Sequence, residues 1–147
     1  MCLCVISEKR VAENAILVYK CLDYNEDKTY CTPFQYLPIT FDVDGVTILF
    51  ADKKKFKPIK EDNGKVINVG IHAFTCKENA EHISSQFPET ETHYAVIPKG
   101  ATYYLGSGNE IASDELIIFK RRKDYSNFKK RMAIFNNVKE YKIVKIK

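Results

Sequence analysis

The chain has 147 residues, of which 45% are apolar and 29% charged, and a formal net charge of +4. That length buries a core without help from disulfides or metal, and one domain is the starting expectation. No apolar run approaches the roughly 20 residues a membrane-spanning helix needs, and the first residues show no charged-then-apolar leader pattern, so no membrane partner is expected.

The cysteines lie at 2, 4, 21, 31 and 76. An odd count with irregular spacing argues against a disulfide framework and for free thiols in a reducing, cytoplasmic setting. Charge is unevenly spread. Residues 1–119 carry 12 Lys and Arg against 17 Asp and Glu, a net of −5, while residues 120–147 carry 11 against two, a net of +9. The expected organisation is therefore one α+β domain over 1–119 and a basic extension over 120–147.

The run 15–22 is apolar at both alternating positions, which suits a strand buried on two sides. The segment 30–39 contains Pro33 and Pro38 and is at most an edge strand or extended loop. Asp44-Gly45 predicts a hairpin turn between 39–43 and 46–50, and Asn63-Gly64 predicts another. Lys53, Lys54 and Lys55 are expected to face solvent.

The pattern over 66–74 predicts one strand, with Ile67, Val69, Ile71 and Ala73 on one side and His72 and Phe74 on the other. A helix at about 76–87 follows, with Thr75 and Glu78 at capping-box spacing and Ala80, Ile83 and Phe87 as its apolar stripe. Strands are expected at 92–97, 102–105 and 115–119, the last two joined through a hairpin turn at 106–109. After the basic run at 120–123, Asp124 is placed to cap a basic helix at about 124–135. Its apolar face would be Tyr125, Phe128, Met132 and Phe135. The weak alternation over 138–147 suits an edge strand or a tail.

Several pieces taken in order carry a resemblance: Met1-Cys2-Leu3, Val18-Tyr19-Lys20-Cys21-Leu22, Cys31-Thr32-Pro33-Phe34, Gly70-Ile71-His72-Ala73-Phe74 and Ile97-Pro98-Lys99-Gly100-Ala101-Thr102-Tyr103-Tyr104-Leu105-Gly106. This pattern resembles a group of small uncharacterised proteins of gut bacteria and their phages. The resemblance implies a phage or mobile-element type of accessory protein and brings no activity with it. The chain is also similar in motif order to ADP-ribosyltransferases. Tyr19-Lys20 falls where those folds hold NAD with an aromatic-Arg pair, Phe74-Thr75-Cys76 where they carry Ser-Thr-Ser, and Glu89-Thr90-Glu91 where they carry Glu-x-Glu. That likeness implies an enzyme using NAD with Glu91 as its catalytic acid. Two departures weigh against it: Lys20 cannot reproduce the bidentate fork of an arginine, and Ser-Thr-Ser is absent.

The candidate sites follow from residue chemistry. Cys2 could act as an N-terminal nucleophile once Met1 is removed, or pair with Cys4 in a metal clip. No second paired motif completes a zinc site, so no metal and no cofactor are expected. The plainer reading puts Cys2 and Cys4 on a buried strand as small apolar side chains. His72, beside Gly70, could be a general base or a phosphate contact, or simply a half-buried histidine bonded to a neighbour. His82 and His93 are expected at the surface. Tyr103 and Tyr104 could stack on a base, although strand alternation sends one of them into the core.

Lys120, Arg121, Arg122, Lys123, Lys130 and Arg131 could contact nucleic-acid phosphates, or form a solvated helix face. The favoured expectation is a non-enzymatic binder of a nucleotide-like small molecule or a protein partner. Its pocket would use Tyr19, Lys20, His72, Tyr103 and Tyr104. An NAD-using transferase and a nucleic-acid binder are the alternatives. No feature selects an oligomeric state.

Overall fold

The computed structural model describes residues 3–32, 37–62 and 64–146. In chain order the strands are β1 (Leu3–Cys4), β2 (Arg10–Val11), β3 (Ala15–Tyr24), β4 (Tyr30–Cys31), β5 (Pro38–Ile39), β6 (Val46–Phe50), β7 (Ile59–Glu61), β8 (Gly64–Ile67) and β9 (Ile71–Phe74). Helix α1 (Lys77–Gln86) leads to β10 (Thr90–Ile97), β11 (Thr102–Leu105), β12 (Glu110–Ser113) and β13 (Glu115–Phe119). Helix α2 (Arg122–Phe135) and β14 (Ile143–Val144) complete the chain. The architecture is α+β and mainly antiparallel: among the described residues the one parallel pairing is β14 on β3.

β3 is the organising strand. Its first eight residues are all buried, Lys20 among them, as a run otherwise apolar on both faces requires. Alternation sends Ile16, Val18 and Leu22 into one core with Ala95, Ile97, Leu116 and Ile118. It sends Leu17, Tyr19 and Cys21 into a second core beneath α1 and α2. The main path of the large sheet runs β2-β11-β12-β9-β3-β10-β13-β6. Strands β6 and β9 have three strands between them yet wall one cavity, so the sheet curls around its inner face. A separate sheet, β1-β8-β7, lays Leu3 and Ile67 against Tyr104 and Ala112, and Phe56, from the segment ahead of β7, joins them.

Several expectations are corrected. The strand expected over 66–74 is two strands, β8 in the small sheet and β9 in the large one. The chain breaks at 68–70, where Gly70 has φ +149° and a side chain at that position would meet the Phe56 ring. Asp44-Gly45 does turn, with Gly45 N–H donating to the Asp42 carbonyl over 3.0 Å. The flanking strands do not pair with each other, however: β5 pairs with β4 and β6 with β13. The strand that β11 meets across the turn at 106–109 is β12, a four-residue strand absent from the sequence pattern. Asn63 lies outside the described residues, but β7 and β8 pair across it.

Two caps also differ. The Thr75 hydroxyl donates to the Asn109 carbonyl instead of capping α1, whose N-cap is Cys76 without a side-chain cap bond. Asp124 sits at the third position of α2, not ahead of it, and its carboxylate accepts from the Arg121 backbone N–H. Along α2, Tyr125 and Phe128 pack on Phe119, whereas Phe135 is 84% exposed because the chain turns away beyond it. Cys4 is exposed beside fully buried Leu3.

Candidate functional site

The two flanks of β3 are built differently. On one flank β10 pairs with it continuously from Thr90↔Asp23 to Ile97↔Ile16. On the other, β14 meets Ala15 and Ile16, β9 meets only Tyr19, and β4 meets Asp23 and Tyr24. Phe74 is the residue of β9 that stands opposite Tyr19. His72, two residues back, presents the same edge to β3 by strand alternation, but the strands have already splayed apart.

Lys20 fills that breach. It lies between Val18 and Leu22 in a buried run, directly opposite His93 on β10. Its Nζ donates to the His72 carbonyl oxygen over 2.6 Å, taking the place of a missing ladder bond. No carboxylate among the described residues lies within ion-pair distance of it. Burial lowers the amine to about 8, with the adjacent Cys21 opposing weakly.

The splayed seam opens into a cavity of about 900 Å³. Lys20 and Asp23 of β3, residues 49–51 at the end of β6, residues 68–74, Ile83 and Phe87 at the end of α1, and Glu110 of β12 form its walls. This is the size and the mainly apolar character of a small-molecule site. His72 also lines it, and neither ring nitrogen has a hydrogen-bond partner among the described residues. Burial first, and then the charge on Lys20, hold the His72 imidazole down at about 4, so it is neutral at physiological pH. Burial raises the Glu110 carboxyl and the Cys21 thiol. The thiol turns away from the inner face and donates to the Ala80 carbonyl of α1 over 3.4 Å.

Of the five residues expected to bind ligand, the structure brings Lys20 and His72 to this cavity. Tyr19 lies on the face beneath the helices, edge-on to Tyr94 at 5.4 Å. Tyr104 packs on Phe56 at 5.3 Å under the small sheet. Tyr103 lines a different recess of about 400 Å³ with Arg10, Ile16 and Val144. Glu91 sits on β10 beside His93, with 3.3 Å between Oε2 and Nε2. Cys2 lies outside the described residues, and no three His, Cys, Asp or Glu among those described converge as metal ligands.

His93 corrects the expectation of a surface histidine. It is only 4% exposed, its Nδ1 is 3.0 Å from the Phe119 carbonyl, and Tyr30 and Phe41 flank its ring. Burial, and next the Glu91 charge, push the Tyr30 hydroxyl up to about 12. The sequence does carry a signal for His93: in β10 it shares the alternating face of Ala95 and Ile97.

Lys120, Arg121, Arg122, Lys123, Lys130 and Arg131 are all exposed. Two are engaged: Arg121 Nε is 3.0 Å from Asp124, and the Arg122 guanidinium lies over the Tyr94 ring at 5.8 Å.

The fold defines an α+β protein with a curled, mainly antiparallel sheet and a cavity at its incomplete seam. Comparison with protein-family models, curated proteins and solved structures returns no match. Among the described residues no helix is long and apolar enough to cross a membrane.

Proposed function

We propose that this protein binds a small molecule in the cavity between β3, β6 and β9, without transforming it. The observation that carries the reading is the cavity itself: about 900 Å³, mainly apolar, with one buried amine in its wall. A buried cation without a carboxylate partner is costly to a fold, and a site for ligand gives it a use. Tyr103 and Tyr104 stand outside the cavity, and its mainly apolar lining favours a ligand less polar than a nucleotide. Glu91 stands apart from Lys20's cavity, and this favours binding over the NAD-dependent alternative.

The test is a titration with the neutral apolar fluorophore N-phenyl-1-naphthylamine. Saturable 1:1 enhancement is expected. Ala51→Trp, which fills the cavity from its half-buried rim, should abolish it while leaving the melting temperature within a few degrees. No saturable enhancement, or the same enhancement in the Trp variant, would overturn the reading.

A second reading is independent of the cavity. The basic segment 120–147, with its basic α2, supports binding of a polyanion such as nucleic acid of a phage or mobile element. Lys120, Lys123, Lys130 and Arg131 are exposed on one stretch of chain that carries a net +9 over its length. Removing the segment is not a clean test, because Tyr125 and β14 belong to the packing of the main body. Reversing Lys123, Lys130 and Arg131 to Glu is, since all three are exposed. Retention on DNA or RNA at low salt should fall by an order of magnitude or more, and unchanged retention discards this reading.

A further inference from the structure

The cavity has a polarity as well as a volume, and Lys20 sets it. Its ammonium has three donors, of which the His72 carbonyl takes one. The surrounding titratable groups are His72 on β9, His93 opposite on β10, Cys21 beside it in β3, and Asp23, Glu89 and Glu110 along the cavity wall. None of the acids is in ion-pair range of the amine among the described residues, and Asp23 Oδ1 already accepts from the Thr90 hydroxyl over 2.8 Å. His72 adds a neutral ring whose two nitrogens are buried and unpartnered among the described residues. The cavity therefore holds spare donors at one point and apolar side chains such as Leu49, Ile71 and Ile83 elsewhere.

We infer that the ligand is an amphipathic monocarboxylate whose carboxylate is held by the Lys20 ammonium while its hydrocarbon body fills the apolar remainder of the cavity. This deepens the small-molecule reading and rests on it. One amine matches one negative charge. A phosphate dianion or a polyphosphate would bring more charge than Lys20 balances, into a wall that also carries the carboxyl groups of Asp23, Glu89 and Glu110. The carboxylate supplies a counter-ion that Lys20 does not have among the described residues, and in an apolar surrounding that charge-assisted pair is strong.

The experiment is displacement of N-phenyl-1-naphthylamine from the full chain by decanoate and by decanol, which share a tail and differ in charge. Wild type is expected to bind decanoate at least tenfold more tightly than decanol at pH 7. Lys20→Met should erase that preference while still binding decanol. A second readout needs no variant. Raising the pH from 7 to 10 neutralises the amine, so decanoate affinity should fall and decanol affinity should hold.

Equal affinity of wild type for the two ligands, or a preference that survives in Lys20→Met and is flat with pH, overturns the anchor and leaves the small-molecule reading standing. Failure of both ligands to displace a bound fluorophore overturns the anchor as well. Failure of the fluorophore itself to bind removes both readings.

Discussion

The two flanks of β3 show what regular pairing secures and what its interruption makes available. Toward β10, eight consecutive residue pairs form one ladder, and the residues on it are among the most buried in the molecule: Val18, Leu22, Ala95 and Val96 are each fully inaccessible. Toward β9, β14 and β4, three short strands share the edge and leave residues 20–22 without a strand partner on that side among the described residues. The cavity, the buried amine and the unpartnered imidazole all occur on that second flank. A sheet can curl with its ladders intact, but here pairing is interrupted along one edge of β3, and Lys20 restores one of the missing bonds.

The sharpest way to break the comparison is to truncate one isoleucine on each side. Ile118 of β13 is fully buried and belongs to the continuous half. Ile118→Ala should cost about 4 kcal/mol, because transfer and cavity terms add where neighbours cannot collapse. Ile71 of β9 already borders empty space, so Ile71→Ala should cost about 2 kcal/mol, having fewer contacts to lose. Urea denaturation of both variants checks this. Equal costs would mean that the seam is packed as tightly as the ladder.

The same contrast governs what could be read from the sequence. β3 is legible because seven of the eight residues 15–22 are apolar, with Lys20 the exception, and β10 because it follows a helix and alternates. The curl, the break at 68–70 and the existence of β12 are not. Ile67 and Ile71 fit one alternating stripe as well as they fit two sheets, and only the Phe56 ring against Gly70 decides between those outcomes. Phe56 belongs to no pattern or motif shared with Gly70. It reaches the glycine through the third dimension, where periodicity carries no information. Motif likeness singles out Lys20 and the run 15–22 places it in a buried strand, but that its amine meets a cavity follows only from the splaying of β9 from β3. His93 shares the alternating face of Ala95 and Ile97, but its place beside a turn points equally to the surface, since histidine is intermediate in burial.

Lys20 itself sharpens the comparison next. Its folded value of about 8 lies below the ordinary 10.5. Below pH 8 the amine is charged in both states, and the fold bears the desolvation cost. Between pH 8 and 10.5 the unfolded chain binds more protons than the native one, so stability contributed by this group rises with pH, by about 3 kcal/mol in all. Lys20→Met has no such rise. The stability of the variant relative to wild type should therefore be greatest at pH 7 and decline by about that amount by pH 10.5. Tyr30, whose raised value acts in the opposite direction at high pH, is common to both proteins and cancels in the difference, whereas Cys21 loses the Lys20 charge that lowers its thiol and is replaced by Ser in both proteins for this comparison. Parallel denaturation curves across this range would mean that Lys20 reaches water.

His72 gives the smallest of the three effects and tests the seam from the other strand. Its imidazole stays neutral down to about 4 in the folded protein but titrates near 6.5 when unfolded. Above pH 6.5 it is neutral in both states. As the pH falls from 6.5 to 4 the unfolded chain takes up a proton that the native chain refuses, so stability is lost over that window, and below it no further loss comes from this residue. The full shift would correspond to about 3 kcal/mol, and the part of the ring that reaches solvent reduces the expected loss to about 2 kcal/mol. His72→Gln keeps a polar side chain without the titration, so its acid limb should be flatter than wild type by that amount while carboxylate titration remains in both. A bound carboxylate at Lys20 should shift the histidine as well, since it removes the positive charge now opposing protonation. With decanoate present, the His72 resonances of a proton NMR titration should move at a higher pH than in the free protein. Unmoved resonances would separate the histidine from the ligand's end of the cavity, and confine its role to the wall between β9 and β12.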